Sequence, residues 1–144
     1  MKKQAFGILT MFGLLLVVTA VSVHAQSKRS IINIPFNFNV GQKTLPAGEY
    51  TVEPLRKDSQ TVWLVENRSQ HASVLFTTTS VWTSETKEET KLVFNRYGDQ
   101  SFLSQIWTAG DNSGRELPRR RSELQLAKNG IQPEKVVVTL AAGE

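Results

Sequence analysis

"IINIPFNFNVGQKTLPAGEYTVE", residues 31–53, is the stretch that decides the fold. Its first ten residues alternate, with Ile32, Ile34, Phe36, Phe38 and Val40 on one side and Asn33, Pro35, Asn37 and Asn39 on the other. A period of two with β-branched and aromatic residues marks a half-buried strand. Pro35 has no N–H to give to a ladder, which places the run at a sheet edge or a bulge. Leu45-Pro46-Ala47-Gly48 follows as a turn, with proline presetting φ and glycine tolerating a positive one. A second alternating run, Glu49 to Glu53, then begins, with Tyr50 and Val52 on one face.

The same signals continue downstream. Strands are expected at 61–66, around Trp63, and at 72–82, where Val74 and Phe76 oppose Leu75. Ser84 to Glu89 is a charged loop. Residues 91–97 and 101–107 flank Gly98-Asp99-Gln100 and predict a hairpin. A two-residue loop would pair Phe94 with Leu103; a three-residue loop would pair Leu92 with Ile106. Both faces of this hairpin are partly apolar, so it belongs near the centre of the structure. Asp111 to Gly114 reads as a loop. Pro118 followed by Asn129-Gly130 predicts a short helix at about 118–128, with Leu124 and Ala127 as its apolar patch. A last strand spans 135–140. About seven strands and one short C-terminal helix predict an all-β fold, an antiparallel two-layer sandwich or a partly open barrel.

Upstream of this region, Lys2 and Lys3 precede an uncharged run from Ala5 to Val23, and Val23-His24-Ala25 offers small or modest residues before Gln26. That is the layout of a cleavable secretory signal over residues 1–25, leaving 26–144 as one β-rich domain. The rival reading is an uncleaved anchor, since about 20 apolar residues span a bilayer. Diluting glycines and threonines, and Lys28-Arg29 on the far side, favour cleavage. The expected location is therefore the periplasm or the extracellular space. The membrane is met only through the signal segment during export. The 144 residues include no cysteine, which excludes disulfides, thiol catalysis and thiolate metal sites. Removing Lys2 and Lys3 from 17 Lys and Arg, against 13 Asp and Glu, leaves a nearly balanced chain. Such a balance does not point to nucleic acid.

Several residue groups carry possible chemistry. His71 is the histidine left after signal removal, and no Gly-x-Ser-x-Gly turn accompanies it. Glu49, Glu53 and Glu66 have the chemistry for glycan hydrolysis, which needs two carboxyls facing one cleft, but their spacing does not dictate that arrangement. Glu88-Glu89 and Asp111-Asn112-Ser113-Gly114 lack the clustering or the alternate carboxylates of a metal site. No catalytic, cofactor or metal residue is therefore assigned. Trp63, Trp82 and Trp107 are candidate sugar or lipid platforms, with core packing as the alternative. Trp82, beside the charged loop, is the most exposed in expectation. Arg115 with Arg119, Arg120 and Arg121 is the densest charge in the chain. These arginines sit where a helix dipole disfavours them, which marks them as a candidate surface for an anionic envelope component or an acidic protein patch.

Ile34-Pro35-Phe36-Asn37-Phe38, Leu45-Pro46-Ala47-Gly48-Glu49-Tyr50, Leu92-Val93-Phe94-Asn95-Arg96-Tyr97-Gly98, Phe102-Leu103-Ser104-Gln105-Ile106-Trp107 and Gly114-Arg115-Glu116-Leu117-Pro118 occur in that order. Together they resemble the recurring blocks of a family of small exported bacterial proteins with no assigned activity. The resemblance spans about residues 32–124 and implies export and a compact β fold. It brings no catalytic residue or ligand. Arg119 to Arg121 stand where that family has a polar or hydroxyl residue. Three readings follow: a non-enzymatic structural or interaction module, including one that adds a strand to a partner; a lipid- or glycan-binding β protein with an aromatic-lined cleft; and a hydrolase.

Overall fold

The alternation of residues 31–40 survives in the tertiary structure, but the chain changes sheets in its middle. The computed structural model describes residues 31–140. The expected signal, 1–25, lies outside the described residues, as do 26–30 and 141–144. Eleven strand segments and one helix follow in order: β1 (Ile31–Ile34), β2 (Phe38–Val40), β3 (Lys43–Leu45), β4 (Gly48–Arg56), β5 (Ser59–Asn67), β6 (Ala72–Thr77), β7 (Thr79–Trp82), β8 (Lys91–Tyr97), β9 (Gln100–Trp107), β10 (Ser113–Glu116), α1 (Arg121–Lys128) and β11 (Glu134–Thr139). One sheet has the order β1-β4-β5-β6 and the other β11-β8-β9-β10-β7. The hairpin β2–β3 joins the second sheet through a single parallel pair, Asn39 with Phe102. The fold is an all-β, two-layer sandwich with one short helix.

Two of the expected strands each divide between the layers. Around Pro35 to Asn37 the chain leaves β1 in the first sheet and enters β2 in the second. Ile32, Ile34, Phe38 and Val40 all remain in the core, because the corner preserves the alternation. Full burial of each such side chain contributes roughly 1.5–3 kcal/mol. Phe38 lies edge-on between Tyr50 and Phe94, with ring centroids 5.1 and 5.6 Å away. The second division is at Thr78, between β6 and β7. Its N–H and hydroxyl bond to the Thr61 and Gln60 carbonyls, anchoring the corner to β5.

The hairpin β8–β9 occupies the middle of its sheet and is buried on both faces. Both registers that the sequence permits are present. Phe94 pairs with Leu103 near the turn, and Leu92 pairs with Ile106 further out. A bulge between them leaves Ser104 without a partner on β8, and the Leu117 N–H bonds to its carbonyl at 2.9 Å. Because the bulge absorbs the extra residue, Leu92, Phe94, Leu103 and Ile106 stay on one face, and all four belong to the core.

Three expectations are corrected. The helix begins at Arg121, not Pro118, and Arg120 is extended (φ −70°, ψ 156°). Residues just past β10 still follow β9, as the Leu117–Ser104 bond shows, so the chain is extended there and the helix starts after it. The helix buries Glu123, while Leu124 is exposed. Ser113 and Gly114, expected in the 111–114 loop, begin β10, because Ser113–Glu116 pair with β7 and Gly114–Glu116 also pair with β9.

Candidate binding cleft

The polar face of residues 31–40 has structural work to do. The Asn37 side-chain oxygen Oδ1 accepts the Ala47 N–H at 3.0 Å, fixing the Pro-Ala-Gly turn. The Asn39 amide donates to the Ser101 carbonyl at 3.1 Å, and its oxygen accepts from Thr44 (2.6 Å) and from Arg120 Nη1 (3.2 Å). Asn39 thereby joins β2, β3 and β9 to the segment that leads into α1.

Beside this junction lies an open cleft of about 590 Å³. Three pieces of chain build it: the β2–β3 turn (Gly41, Gln42, Lys43), the strand β6 from Ser73 to Thr77, and Leu117 to Arg120. Val74, Phe76 and Leu117, all core residues, form the floor. Lys43, Arg119 and Arg120 stand around it, and no Asp or Glu is among its lining residues. Gly41 adopts a φ of +53°, and a Cβ there would lie 3.2 Å from Val74 Cγ1, so glycine lets the turn approach β6. Lys43 Nζ donates to the Ser73 carbonyl at 3.2 Å. Volume and lining are in the range of ligand clefts, with an apolar base and a few placed polar groups.

The predicted arginines separate. Arg119 and Arg120 line the cleft. Arg121 opens α1 and does not line it. Arg115 is held on the neighbouring strand, where its guanidinium donates to the Thr78 hydroxyl at 3.1 Å and to Ser80. It braces the β6–β7 corner. Trp82 is 73% exposed on the edge strand β7, opposite Ser113, away from the cleft. Trp63 and Trp107 are buried, none of the three tryptophans lines this cleft, and Phe76 is its aromatic lining residue. The sequence missed Gln42, Lys43 and the β6 residues, which share no motif with the arginines and meet them only through the fold.

Two further groups centre outside the cleft. Under α1, Glu123 Oε1 accepts from the Asn95 amide at 2.8 Å and from the Tyr97 hydroxyl at 3.3 Å. Lys135 Nζ donates to the Asn95 oxygen. Burial, helped by the Glu123 charge, raises the Tyr97 phenol above its ordinary pKa, with Arg119 opposing the shift. Elsewhere, Glu66, His71 and Ser73 share an open depression of about 380 Å³. A nucleophile and its base need hydrogen-bond reach. The His71 ring makes no such bond to either neighbour, and Glu66 instead pairs with Arg68 at 3.5 Å. His71 itself sits in a tight turn with φ of 51°. Glu49 and Glu66 border a shallow open depression of about 210 Å³ with Arg68, which pairs with Glu66; Glu53 is not among its lining residues. Among the described residues no cluster of three metal-ligating side chains forms.

The chain was also compared with known proteins: no family model, no curated protein and no solved structure matches it.

Proposed function

We propose that this protein is an exported, non-enzymatic interaction module of the cell envelope or extracellular space, and that the cleft between β6 and Leu117–Arg120 binds an anionic partner. One observation carries the reading. Lys43 meets Arg119 and Arg120, from a distant part of the chain, around an apolar floor with no Asp or Glu among the lining residues. Cations gathered without counter-charges repel one another and are stabilised by an anion. The basic start, apolar run and small-residue site at residues 1–25 support export, as does the resemblance to small exported bacterial proteins.

The test is retention on an anionic matrix at low salt. The triple variant Lys43→Ser, Arg119→Ser, Arg120→Ser should elute at clearly lower salt than a charge-matched variant, Arg56→Ser, Lys57→Ser, Lys128→Ser. Equal elution of the two would show that net charge, and not the cleft, governs adhesion. Export is tested by the mass of the protein recovered outside the cytoplasm, which should begin at Gln26.

A further inference from the structure

We propose that the occupant of the cleft is a short extended peptide segment in which one apolar residue is flanked by acidic ones. This rests on the cleft being the binding surface and names the partner's chemistry. The Thr78 N–H bonds to the Thr61 carbonyl, so the backbone groups of Val74, Phe76 and Thr78 face β5. Alternation then turns the N–H and C=O groups of Ser73, Leu75 and Thr77 toward the cleft side. Lys43 takes the Ser73 carbonyl. The β2–β3 turn blocks the edge at Leu75, whose carbonyl would be 3.5 Å from a Cβ on Gly41. A full added strand is therefore excluded, and Thr77 offers the open end of the edge. A ligand that meets it needs both a donor and an acceptor, as a peptide backbone has.

The floor and rim set the side chains. In an extended segment, successive side chains point to opposite faces. One apolar side chain directed at Val74, Phe76 and Leu117 leaves its two neighbours at the rim, where Lys43, Arg119 and Arg120 stand. The same floor argues against a lipid. Val74, Phe76 and Leu117 are only 6%, 6% and 7% exposed, so the floor is closed to the core and the open cleft has no tunnel for an acyl chain.

The probe is a capped peptide with a Glu-Val-Glu centre flanked by serines, added to the isotopically labelled exported chain and followed by amide chemical shifts. Shifts should concentrate at Ser73–Thr77 and Arg119–Arg120. Affinity should fall about tenfold, or 1.4 kcal/mol, in Arg119→Ser/Arg120→Ser, and as far for a Ser-Val-Ser peptide. Resonances outside the cleft report that the variant is folded. The proposal is overturned if those amides do not move, if the two peptides bind alike, or if phosphatidylglycerol vesicles move the same amides and the peptide does not. If cleft variants lose matrix retention while the peptide leaves the amides unmoved, the anion site stands and the peptide assignment fails.

Discussion

The Asn95 amide donates to the Glu123 carboxylate at 2.8 Å, and the two residues are 2% and 3% exposed. A carboxylate this far from water is expensive unless its lone pairs are engaged. Asn95, Tyr97 and, one amide further out, Lys135 provide that engagement. The helix is thus fixed to the second sheet by a polar contact. Glu123→Ala would leave the Asn95 and Tyr97 donors buried and unpartnered, at a cost of about 2–4 kcal/mol. Glu123→Gln retains an acceptor and should cost less. Urea unfolding would measure both, with exposed Leu124→Ala as reference. If Glu123→Ala proves no worse than that reference, the contact does not hold the helix.

The chain's two tyrosines, Tyr50 and Tyr97, should both ionise late. Burial is the larger cause of the upward shift in each; the Asn67 amide offsets part of it at Tyr50, and Glu123 adds to it at Tyr97. A folded-state pKa above the unfolded value of 10.0 means that the unfolded chain loses these protons first. The associated stability is complete below about pH 10 and is lost as pH rises through the folded values. Alkaline titration of tyrosinate absorbance should show both groups delayed in the native protein and ordinary in urea. A native group ionising at its usual pH would contradict the burial described for it.

Deleting Ser104 should leave the two faces of β9 as they are. Val93 already pairs with Gln105 and Leu92 with Ile106, so removing the unpaired residue closes the ladder without turning Ile106 from the core. The loss is that of the carbonyl that accepts the Leu117 N–H, about 1–3 kcal/mol. Inserting one serine between Gln105 and Ile106 should do more, because a slip of one residue exchanges the two faces of the outer half of β9. Its cost is more than about 3 kcal/mol, of the size of large core defects. Near-ultraviolet circular dichroism separates the two variants; an insertion variant with the native spectrum would show that the core does not fix this register.

Gly114 packs against the face of Trp107. A Cβ there would lie 2.7 Å from Trp107 Cε3, well inside contact distance. Gly114→Ala should therefore cost roughly 1–3 kcal/mol by overpacking. Gly98→Ala is the comparison: its added methyl meets nothing within 4 Å, and its cost, about 1 kcal/mol, comes only from the φ of +64°. Thermal unfolding of both variants separates the causes. In a Trp107→Phe background the Gly114→Ala cost should shrink and the Gly98→Ala cost should not.

What the sequence determined on its own was local: which residues alternate, where turns interrupt them, and hence which side chains enter the core. Ile32, Ile34, Phe38, Val74 and Phe76 were legible because strand geometry imposes a period of two whatever lies opposite. The short helix was legible from its stop signal, though not its first turn or its buried face. Tertiary structure alone decided the sheet changes at residues 35–37 and at Thr78, the strand character of residues 113–116, the combination of two registers around Ser104, and the burial of Glu123. It also assembled the cleft, because Lys43, β6 and Arg119–Arg120 are about 30 to 75 residues apart and nothing in local spacing relates them. Periodicity reports which way a side chain points relative to its own backbone; which other segment it meets depends on how the layers close over their common core.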